Sequence, residues 1–533
     1  MGMNTSHIGI WLALAGVAAV FYTTTIIVYR VFFHPLAKYP GPFLAKITDA
    51  YLLYHAWKGD RHLEFWRLHE RYGRVVRFGP NSVSFNSAQA LKDIYGFRTN
   101  VRKAEFYDAF VHPAPNTHNA RDKDMHARKR RVIAHGFSDS AIREMERYVL
   151  NNVRTFTAQI GQGAGPETKG WSLPKNMTDW CNYLAMDILG DLCFGKAFHM
   201  LEAPDNRFAL DLIAAATKRH LICGTMPIVD KLKLDRLLFP NIAAGRARYM
   251  VYSKGQLTER TKLGEETDRR DFFYYLLKAR DPETGQGFTT PELWGESNLL
   301  IIAGSDTTST AMAATLFYLT RHPEALAKAT AEVRGRFADV EEIRQGPALA
   351  SCTYLRACID EAMRMSPSVG GLLPREVLPG GATIDGEFIP AGTVVGVPHY
   401  TIHHNPDHYP EPFRFVPERW IAGSGGGRQE GEMETAAGIV ATGDHVARAQ
   451  AAFCPFSIGP RGCIGKGLAY VEMSITIART LYLYDLRRAV GVHDPGEGRV
   501  DAEWGRHRVG EFQLTDTFTS MKDGAMVEFR RRE

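Results

Sequence analysis

The chain has 533 residues, of which 45% are hydrophobic and 23% charged, so it can bury a large core. Its net charge of +5 is too small to indicate a nucleic-acid partner. The seven cysteines have neither paired nor zinc-type spacing, which predicts a protein of a reducing compartment without a disulfide framework.

An uncharged apolar stretch, residues 8–29, opens the chain and is close to the roughly 20 residues that span a bilayer. No Lys or Arg precedes it, whereas Arg30 and Lys38 follow, so the positive-inside rule places the rest of the chain in the cytoplasm. We predict a single-pass transmembrane helix within residues 1–30. A cleaved signal peptide is the alternative, but the basic n-region is missing. A myristoylation pattern at Gly2 is a weaker alternative.

A proline-rich segment, residues 34–42, follows the anchor. Its prolines block helix formation and favour extended backbone, which predicts a stiff hinge between the membrane and the body. Beyond it we predict a helix around residues 63–71. Alternating apolar residues at 75–78 and 82–85 predict a strand pair.

Residues 98–125 show no clear period and are predicted to form a long loop. A basic helix is predicted from His126 to near Ser138, and such a run usually marks a solvated face. Helical patterns dominate residues 176–277.

A long helix is predicted to begin at Thr290-Pro291-Glu292, where Thr290 would cap it, and to run to about Thr320. Inside it, residues 303–310 combine a glycine with a run of hydroxyl residues, which predicts a kink. The simplest interpretation is that these hydroxyls bond to backbone carbonyls and that Asp306 is a surface acid. The functional interpretation is a small notch for oxygen, with Asp306 and Thr307 relaying protons.

Glu361 and Arg364 have the spacing of an exposed helical ion pair, which is the usual meaning of that pattern. Further on, residues 386–390 and 393–397 predict a strand hairpin. A glycine-rich patch predicts a surface insertion at about residues 421–450. Near the end of the chain, strands are predicted at residues 511–514 and 526–529, with residues 515–523 as the turn between them.

Cys463 lies among Gly459, Gly462 and Gly465. These glycines allow a tight turn whose N–H groups can point at one sulfur. Arg461 adds a cation beside it. A lone cysteine is most often a small buried apolar residue, whereas a thiolate on a closely approaching loop suits an iron ligand.

The spacing F-x-x-G-x-R-x-C-x-G, from Phe456 to Gly465, resembles the heme-binding loop of the cytochrome P450 family. Three further motifs occur in the family's order: A-G-x-D-T-T at 303–308, E-x-x-R at 361–364, and F-x-P-E-R-W at 415–420. The resemblance spans residues 30–533. It implies a single catalytic domain at residues 31–533 with a mainly α fold and a smaller β region.

The resemblance also implies roles for individual residues. Cys463 would be the axial thiolate of heme b iron, with Phe456 packed near the sulfur and Gly465 allowing close approach. Asp306 and Thr307 would be the acid–alcohol pair, beside Ala303. Arg419 would join Glu361 and Arg364 in a buried network that supports the cysteine loop. The implied propionate partners are His126 (where the family usually has Trp), Arg130, Arg375 and Arg461.

The implied function is a heme-thiolate monooxygenase that uses O2 and electrons from NADPH. About 70 residues follow Cys463, too few for a reductase domain, so we expect a separate NADPH-dependent diflavin reductase on the endoplasmic reticulum membrane. The candidate docking residues are Arg128, Lys129, Arg131 and Lys466.

Apolar candidate pocket segments, namely residues 106–118, 296–303, 369–373 and 516–520, predict a lipophilic substrate. The named pocket residues are Phe106, Tyr107, Phe110, Leu299, Ile302, Leu372, Leu373 and Phe518. The amino-acid sequence as a whole resembles fungal members of this family that act in natural-product pathways, including benzoate and trichothecene hydroxylases. A polyketide, terpenoid or aromatic substrate is therefore expected. The alternatives are detoxification of small aromatic acids, a reductase-independent heme-thiolate isomerase or dehydratase, and a non-catalytic membrane protein that binds heme or lipophiles.

Overall fold

A computed structural model describes residues 5–110, 114–262, 268–422 and 441–532. The described residues are mainly helical with small sheets, which confirms the predicted fold class. The first ten helices are α1 (Thr5–Val28), α2 (Phe43–Ile47), α3 (Ala50–Lys58), α4 (Arg61–Tyr72), α5 (Ala88–Tyr95), α6 (Lys123–Ala134), α7 (Asp139–Ile160), α8 (Met177–Phe194), α9 (Phe208–Thr225) and α10 (Ile228–Lys231). The others are α11 (Asp235–Leu238), α12 (Ile242–Lys262), α13 (Phe272–Lys278), α14 (Thr290–Arg321), α15 (Pro323–Arg336), α16 (Pro347–Ala350), α17 (Thr353–Met365), α18 (His399–His403), α19 (Gly443–Ala452) and α20 (Lys466–Leu483).

The strands form two small sheets and two hairpins. They are β1 (Val75–Gly79), β2 (Ser82–Phe85), β3 (Val101–Lys103), β4 (Lys175–Asn176), β5 (Arg375–Val377), β6 (Ala382–Ile384), β7 (Glu387–Ile389), β8 (Val394–Gly396), β9 (Tyr484–Arg488), β10 (Leu514–Thr517), β11 (Thr519–Lys522) and β12 (Met526–Arg531). The five-stranded sheet has the order β1-β2-β8-β5-β3 and the three-stranded sheet the order β4-β12-β9. The helix near residue 63 and the β1–β2 pair are confirmed.

Helix α14 runs through the middle of the helical core and packs against α8, α17 and α20. Its 32 residues span roughly 48 Å. The capping hydroxyl is that of Thr289, not Thr290, and it forms a capping box with Glu292. The helix is continuous through residues 303–310, where the Ser305 and Thr307 hydroxyls donate to carbonyls four residues back, at 2.7 Å.

Three predictions of strands and loops are wrong. The predicted hairpin at 386–397 is absent, because β7 turns back on β6 through Asp385-Gly386, both with positive φ, while β8 pairs with β2 and β5. The predicted turn at 515–523 contains the β10–β11 hairpin. The predicted loop at 98–125 includes β3, which pairs with β5.

The N-terminal helix lies apart from the body. Residues Gly9–Phe33 have a mean hydropathy of 1.9 and none is buried against the rest of the protein, so they form a candidate membrane anchor. The segment after it packs on the body: Leu36 and Tyr39 are buried, and the Arg77 N–H donates to the Pro40 carbonyl at 2.7 Å. Residues 423–440 of the predicted insertion lie outside the described residues, and α19 occupies most of the remainder.

Candidate functional site

A cavity of about 430 Å³ lies between helix α14 and the loop that holds Cys463. Thr307 and Ala303 line it from the helix, and Cys463 lines it from the loop. The rest of the wall is largely apolar and includes Phe110, Ile213, Leu299, Ile302, Leu373 and Phe518. Of the predicted pocket residues, Phe106, Tyr107 and Leu372 do not line the cavity; the first two lie behind Phe110 and Phe518 in an aromatic cluster.

The backbone of the cysteine loop is fixed by glycine. Gly459 has φ +69°, and a Cβ there would lie 2.1 Å from the Tyr95 carbonyl oxygen, so only glycine fits. The Cys463 N–H then donates to the Phe456 carbonyl at 2.8 Å. The Phe456 ring packs 5.2 Å from that of Tyr470, beneath the loop.

Cys463 is deep inside the protein, yet its side chain is exposed because it faces the cavity. Burial raises the pKa of Cys463, whereas hydrogen bonds from the Gly465 and Lys466 N–H groups and the charge of Arg130 lower it. These N–H groups belong to the start of α20, whose dipole also favours a negative sulfur. The loop therefore presents a sulfur that can act as an anionic ligand.

Basic side chains crowd one edge of this cavity. Lys103, Arg130 and Arg461 line it, and Arg375 is buried next to them behind Tyr107. Their hydrogen bonds run to uncharged oxygens: Lys103 to the His118 carbonyl, Arg130 to the Gly462 carbonyl at 2.9 Å, Arg461 to the carbonyls of residues 120–122, and Arg375 to the Tyr107 hydroxyl at 3.2 Å.

Burial and mutual repulsion disfavour the charged forms. Burial, followed by the charges of Arg375 and Arg461, lowers the pKa of Lys103 well below its usual range. Burial and Arg375 lower the pKa of Arg461 to about 10. Buried like charges without carboxylate partners need an anion from elsewhere. A cofactor with two carboxylates meets that need.

His126 lies in the same group and lines the cavity. Burial, followed by the charges of Arg461 and Lys103, lowers its pKa to about 3. Without a bound anion it is therefore neutral, and its ring N–H can donate a hydrogen bond.

Lys103 was not among the predicted site residues. It stands directly opposite Arg375 in the β3–β5 ladder. Two cations directly opposite each other destabilise a sheet unless an anion lies between them. Each of these two short strands carries a basic residue, but the sequence does not show that the two residues are neighbours until the pairing of β3 with β5 is known.

The side chains of the predicted acid–alcohol pair, Asp306 and Thr307, lie in two different environments. Thr307 faces the cavity, and its hydroxyl donates to the Ala303 carbonyl. The Asp306 carboxylate instead accepts from Lys522 of β11, with 3.1 Å between Oδ1 and Nζ. Lys522 also donates to Asn182 Oδ1 at 2.9 Å and Ser309 Oγ at 2.8 Å. Sequence analysis missed Lys522 and Asn182, and Asp306 does not line the cavity.

Glu361 and Arg364 are fully buried, so the surface ion-pair interpretation is wrong. Arg364 binds both carboxylate oxygens of Glu361 at 2.8 Å, and Arg419 binds one at 3.0 Å. The Val416 N–H and the Trp420 indole each add a hydrogen bond at 3.0 Å. Burial alone would raise the pKa of Glu361, but the charges of Arg364 and Arg419 lower it. The carboxylate is thus fully paired.

One part of the predicted docking face is wrong. Lys129 is buried, because α6 turns this side toward α14, where its ammonium lies 2.8 Å from Glu292. Arg128 also pairs with Glu292, and Arg131 pairs with Asp281 at 2.7 Å. Lys466 is exposed beside the cysteine loop.

Comparison with known proteins agrees with this geometry. The family model described as Cytochrome P450 matches residues 39–498. The chain is 40% identical to cytochrome P450 monooxygenase AKT7 of Alternaria alternata, covering 96% of this chain and 95% of that protein. It is 39% identical to cytochrome P450 monooxygenase apf7 of Gibberella fujikuroi, covering 99% of each. It is 38% identical to cytochrome P450 monooxygenase poxM of Penicillium oxalicum, covering 96% and 93%.

These matches confirm the predicted family and the predicted reaction type, and they disfavour the isomerase and binding-protein alternatives, since the named relatives are monooxygenases. The chain belongs to the cytochrome P450 family, whose members use heme b, O2 and NADPH-derived electrons supplied through a reductase.

Proposed function

We propose that this monooxygenase is anchored in the endoplasmic reticulum membrane and hydroxylates a lipophilic small molecule in fungal natural-product biosynthesis. The observation that carries the proposal is that Cys463 and Thr307 face the same apolar cavity from its two sides. A substrate that enters such a cavity is held mainly by contact with apolar groups, so it is largely apolar itself. A polyketide, terpenoid or aromatic compound meets this description.

Cys463 would hold the heme iron through its thiolate, and the bound heme would supply the oxidising power for inserting one oxygen atom of O2 into a C–H bond. The N–H groups of Gly465 and Lys466 keep the sulfur negative. A Cβ at Gly465 would lie 3.9 Å from the sulfur, so a larger side chain there would project toward the bound cofactor.

Lys103, Arg130, Arg375 and Arg461 would hold the two heme propionates, and His126 would donate a hydrogen bond to one of them. This assignment rests on buried positive charges for which the described residues supply no carboxylate partner. Propionate binding relieves their repulsion by charge-assisted hydrogen bonds. Glu361, Arg364 and Arg419 form the paired network that supports the cysteine loop within a single catalytic domain of residues 31–533.

Thr307 positions a proton at the oxygen side of the cavity. Its hydroxyl donates to Ala303, so its lone pairs are free to accept from a water or a proton donor in the cavity. Asp306 passes protons to this site only after its carboxylate leaves Lys522, since the ion pair holds it away from the cavity. Apolar Phe110 and Phe518 limit other water.

Replacing Thr307 tests this role. Thr307→Ala should keep the carbon monoxide spectrum of a thiolate-bound heme but release hydrogen peroxide in place of most of the product, because the water or other proton donor in the cavity loses the acceptor that positions it. Thr320→Ala, which removes a hydroxyl that bonds the same way at the far end of α14, is the control. Normal coupling in Thr307→Ala would remove this residue from the mechanism.

The function itself is tested by reconstitution with an NADPH-dependent diflavin reductase and a panel of lipophiles in ¹⁸O2. The expected product carries one ¹⁸O atom and requires both NADPH and reductase. Product formed without NADPH would show an isomerase or dehydratase. Metabolite profiles of a fungal host with and without the protein then identify the substrate.

A further inference from the structure

Phe518 has a backbone conformation that phenylalanine rarely adopts. It stands at the tip of the β10–β11 hairpin with φ +83°, in the left-handed region that favours glycine. A bulky residue keeps such a conformation only where its surroundings hold it there. The Phe518 ring lines the heme cavity, and its centroid lies 5.1 Å from that of Phe110 and 5.6 Å from that of Phe106. The strained residue is therefore one that shapes the ligand site.

The Asp516 carboxylate holds this conformation. The Phe518 N–H donates to Asp516 Oδ1 at 2.9 Å, so a side chain two residues back takes the place of a backbone acceptor in the turn. The Asp516 N–H donates to the Gly59 carbonyl at 2.8 Å, which fixes the hairpin against the turn between α3 and α4. The position of the carboxylate thereby decides where the tip of the hairpin places the Phe518 ring.

Arg61 of α4 fixes the Asp516 carboxylate in turn. Its Nε donates to Oδ2 at 3.0 Å, and its Nη2 donates to Oδ1 at 3.4 Å. The two side chains are only 3% and 1% exposed, so this ion pair is buried. Without Arg61 the carboxylate would be buried and unpaired, and it would have to bind a proton or turn toward water. Either change weakens its hold on the Phe518 N–H.

The ion pair acts on the cavity from outside. Arg61 and Asp516 do not line the cavity, whereas Phe518 does. Gly371 leaves room for the pair: a Cβ there would lie 2.6 Å from Arg61 Nη2 and 3.1 Å from Asp516 Oδ2. Any influence of Arg61 on a ligand must therefore pass through a neighbouring residue, and the direct hydrogen bond makes Phe518 the nearest route.

We propose that Arg61 and Asp516 are positioning residues that set which ligands the cavity accepts, by holding the Phe518 ring in one place. The inference deepens the proposed function, on whose lipophile-binding cavity it rests. With the ion pair intact, the ring excludes bulky ligands that need its space. Without the pair, the backbone of Phe518 relaxes toward a conformation common for phenylalanine, and the ring moves aside for such ligands.

Ligand binding to the full-length holoprotein in phosphatidylcholine nanodiscs tests the proposal. The probes are imidazole and clotrimazole, a small and a bulky azole, whose dissociation constants are measured from the shift of the heme absorption band. In Arg61→Met the ratio of the imidazole constant to the clotrimazole constant should rise roughly three- to tenfold, because an aromatic ring that obstructs the bulky azole is released. Arg61→Lys, which keeps a cation, should lie between this variant and the wild type.

A double-mutant cycle shows whether Arg61 acts through Phe518. Phe518→Ala should raise the ratio by itself, and adding Arg61→Met to it should then change the ratio by less than about twofold. A ratio that is unchanged or lower in Arg61→Met overturns the proposal. So does a pair of effects that multiply in the double variant, since Arg61 would then act by another route.

Arg321→Met is the matched control, because it removes a largely buried ion pair with Asp494 at the far end of α14. An equal rise of the ratio in this control would indicate general loosening and would also contradict the proposal. Should Arg61→Met lose heme, Arg61→Met/Asp516→Leu replaces it in the cycle, since removing both charges leaves no unpaired carboxylate. Azole binding needs no turnover, so its outcome is independent of the proposed substrate class.

Discussion

Lys103 and Arg375 illustrate how a single residue pair can reveal a ligand. The two cations face each other across β3 and β5, an arrangement that weakens a sheet in the absence of an anion. If the pair holds the propionates as proposed, their binding would convert this repulsion into binding energy, so the same pair would have opposite effects on the apoprotein and the holoprotein.

Replacing Lys103 by Met tests this assignment. We expect roughly tenfold faster heme transfer to apomyoglobin, since a hydrogen bond between charged groups contributes about 1.5–3 kcal/mol, and a slightly higher melting temperature of the apoprotein. Arg102→Met is the control, because the neighbouring Arg102 is exposed and pairs with Glu376 at 3.0 Å. Equal heme loss in the two variants would rule out Lys103 as a propionate partner.

At the scale of elements, the Glu361 network joins α17 to the segment that precedes α19. In Arg419→Ala the buried Glu361 carboxylate stays paired with Arg364 but loses its ion pair with Arg419, and a cavity is left where the Arg419 side chain was. Removal of one partner from a buried ion pair costs about 3–5 kcal/mol. Thermal unfolding and the fraction of protein with a thiolate-type carbon monoxide spectrum measure this loss; Arg414→Ala, at an exposed pair, is the control. An unchanged melting temperature would show that Arg419 is not needed for stability.

A second contact between elements makes stability depend on pH. Glu296 of α14 is fully buried and accepts from the Thr117 N–H at 2.9 Å, with Lys129 at 3.5 Å. Burial raises its pKa from 4.5 to about 7, although Lys129 opposes the shift. The folded protein therefore binds this proton more tightly than the unfolded chain, so the contribution of Glu296 to stability is fully present below pH 4.5 and is lost as the pH rises through about 7.

Glu296→Gln should remove this contribution, of about 1–3 kcal/mol. The variant's melting temperature should fall less than that of the wild type between pH 5 and pH 8. Glu292→Gln is not expected to have this effect, because its cations lower the pKa of Glu292 to about 2. Parallel profiles for Glu296→Gln and the wild type would contradict the role given to Glu296.

Features set by interactions between residues close in sequence could be predicted, whereas pairings between distant residues could not. The start of α14 and the cysteine turn were predictable because capping residues and glycines act within a few positions. The partners of β8 and of Asp306 were not, since β2 and Lys522 lie some 310 and 216 residues away. Periodicity predicts that a strand exists but not which strand it pairs with.

At the scale of the whole molecule, the boundary between anchor and body is set by packing. From Gly9 onward no residue of helix α1 is buried, whereas Leu36 and Tyr39 beyond it belong to the body's core. Deletion of residues 2–28 should therefore move the protein from the membrane pellet to the soluble fraction with its heme spectrum intact. Deletion of residues 2–42 should also lower the melting temperature, because two buried side chains are lost. Equal stability of the two truncations would show that the hinge does not contribute to the fold.

The β10–β11 hairpin has a practical consequence for redesign of this enzyme. Its tip places Phe518 in the cavity, and Lys522, at the end of β11 four residues further on, pairs with Asp306. Replacing Phe518 by a smaller residue to admit a larger compound would thus disturb the segment that pairs with Asp306, the proposed proton donor. Substrate range and the efficiency with which electrons are converted to product are therefore tied together mechanically, and directed evolution of one should select compensating changes in the other.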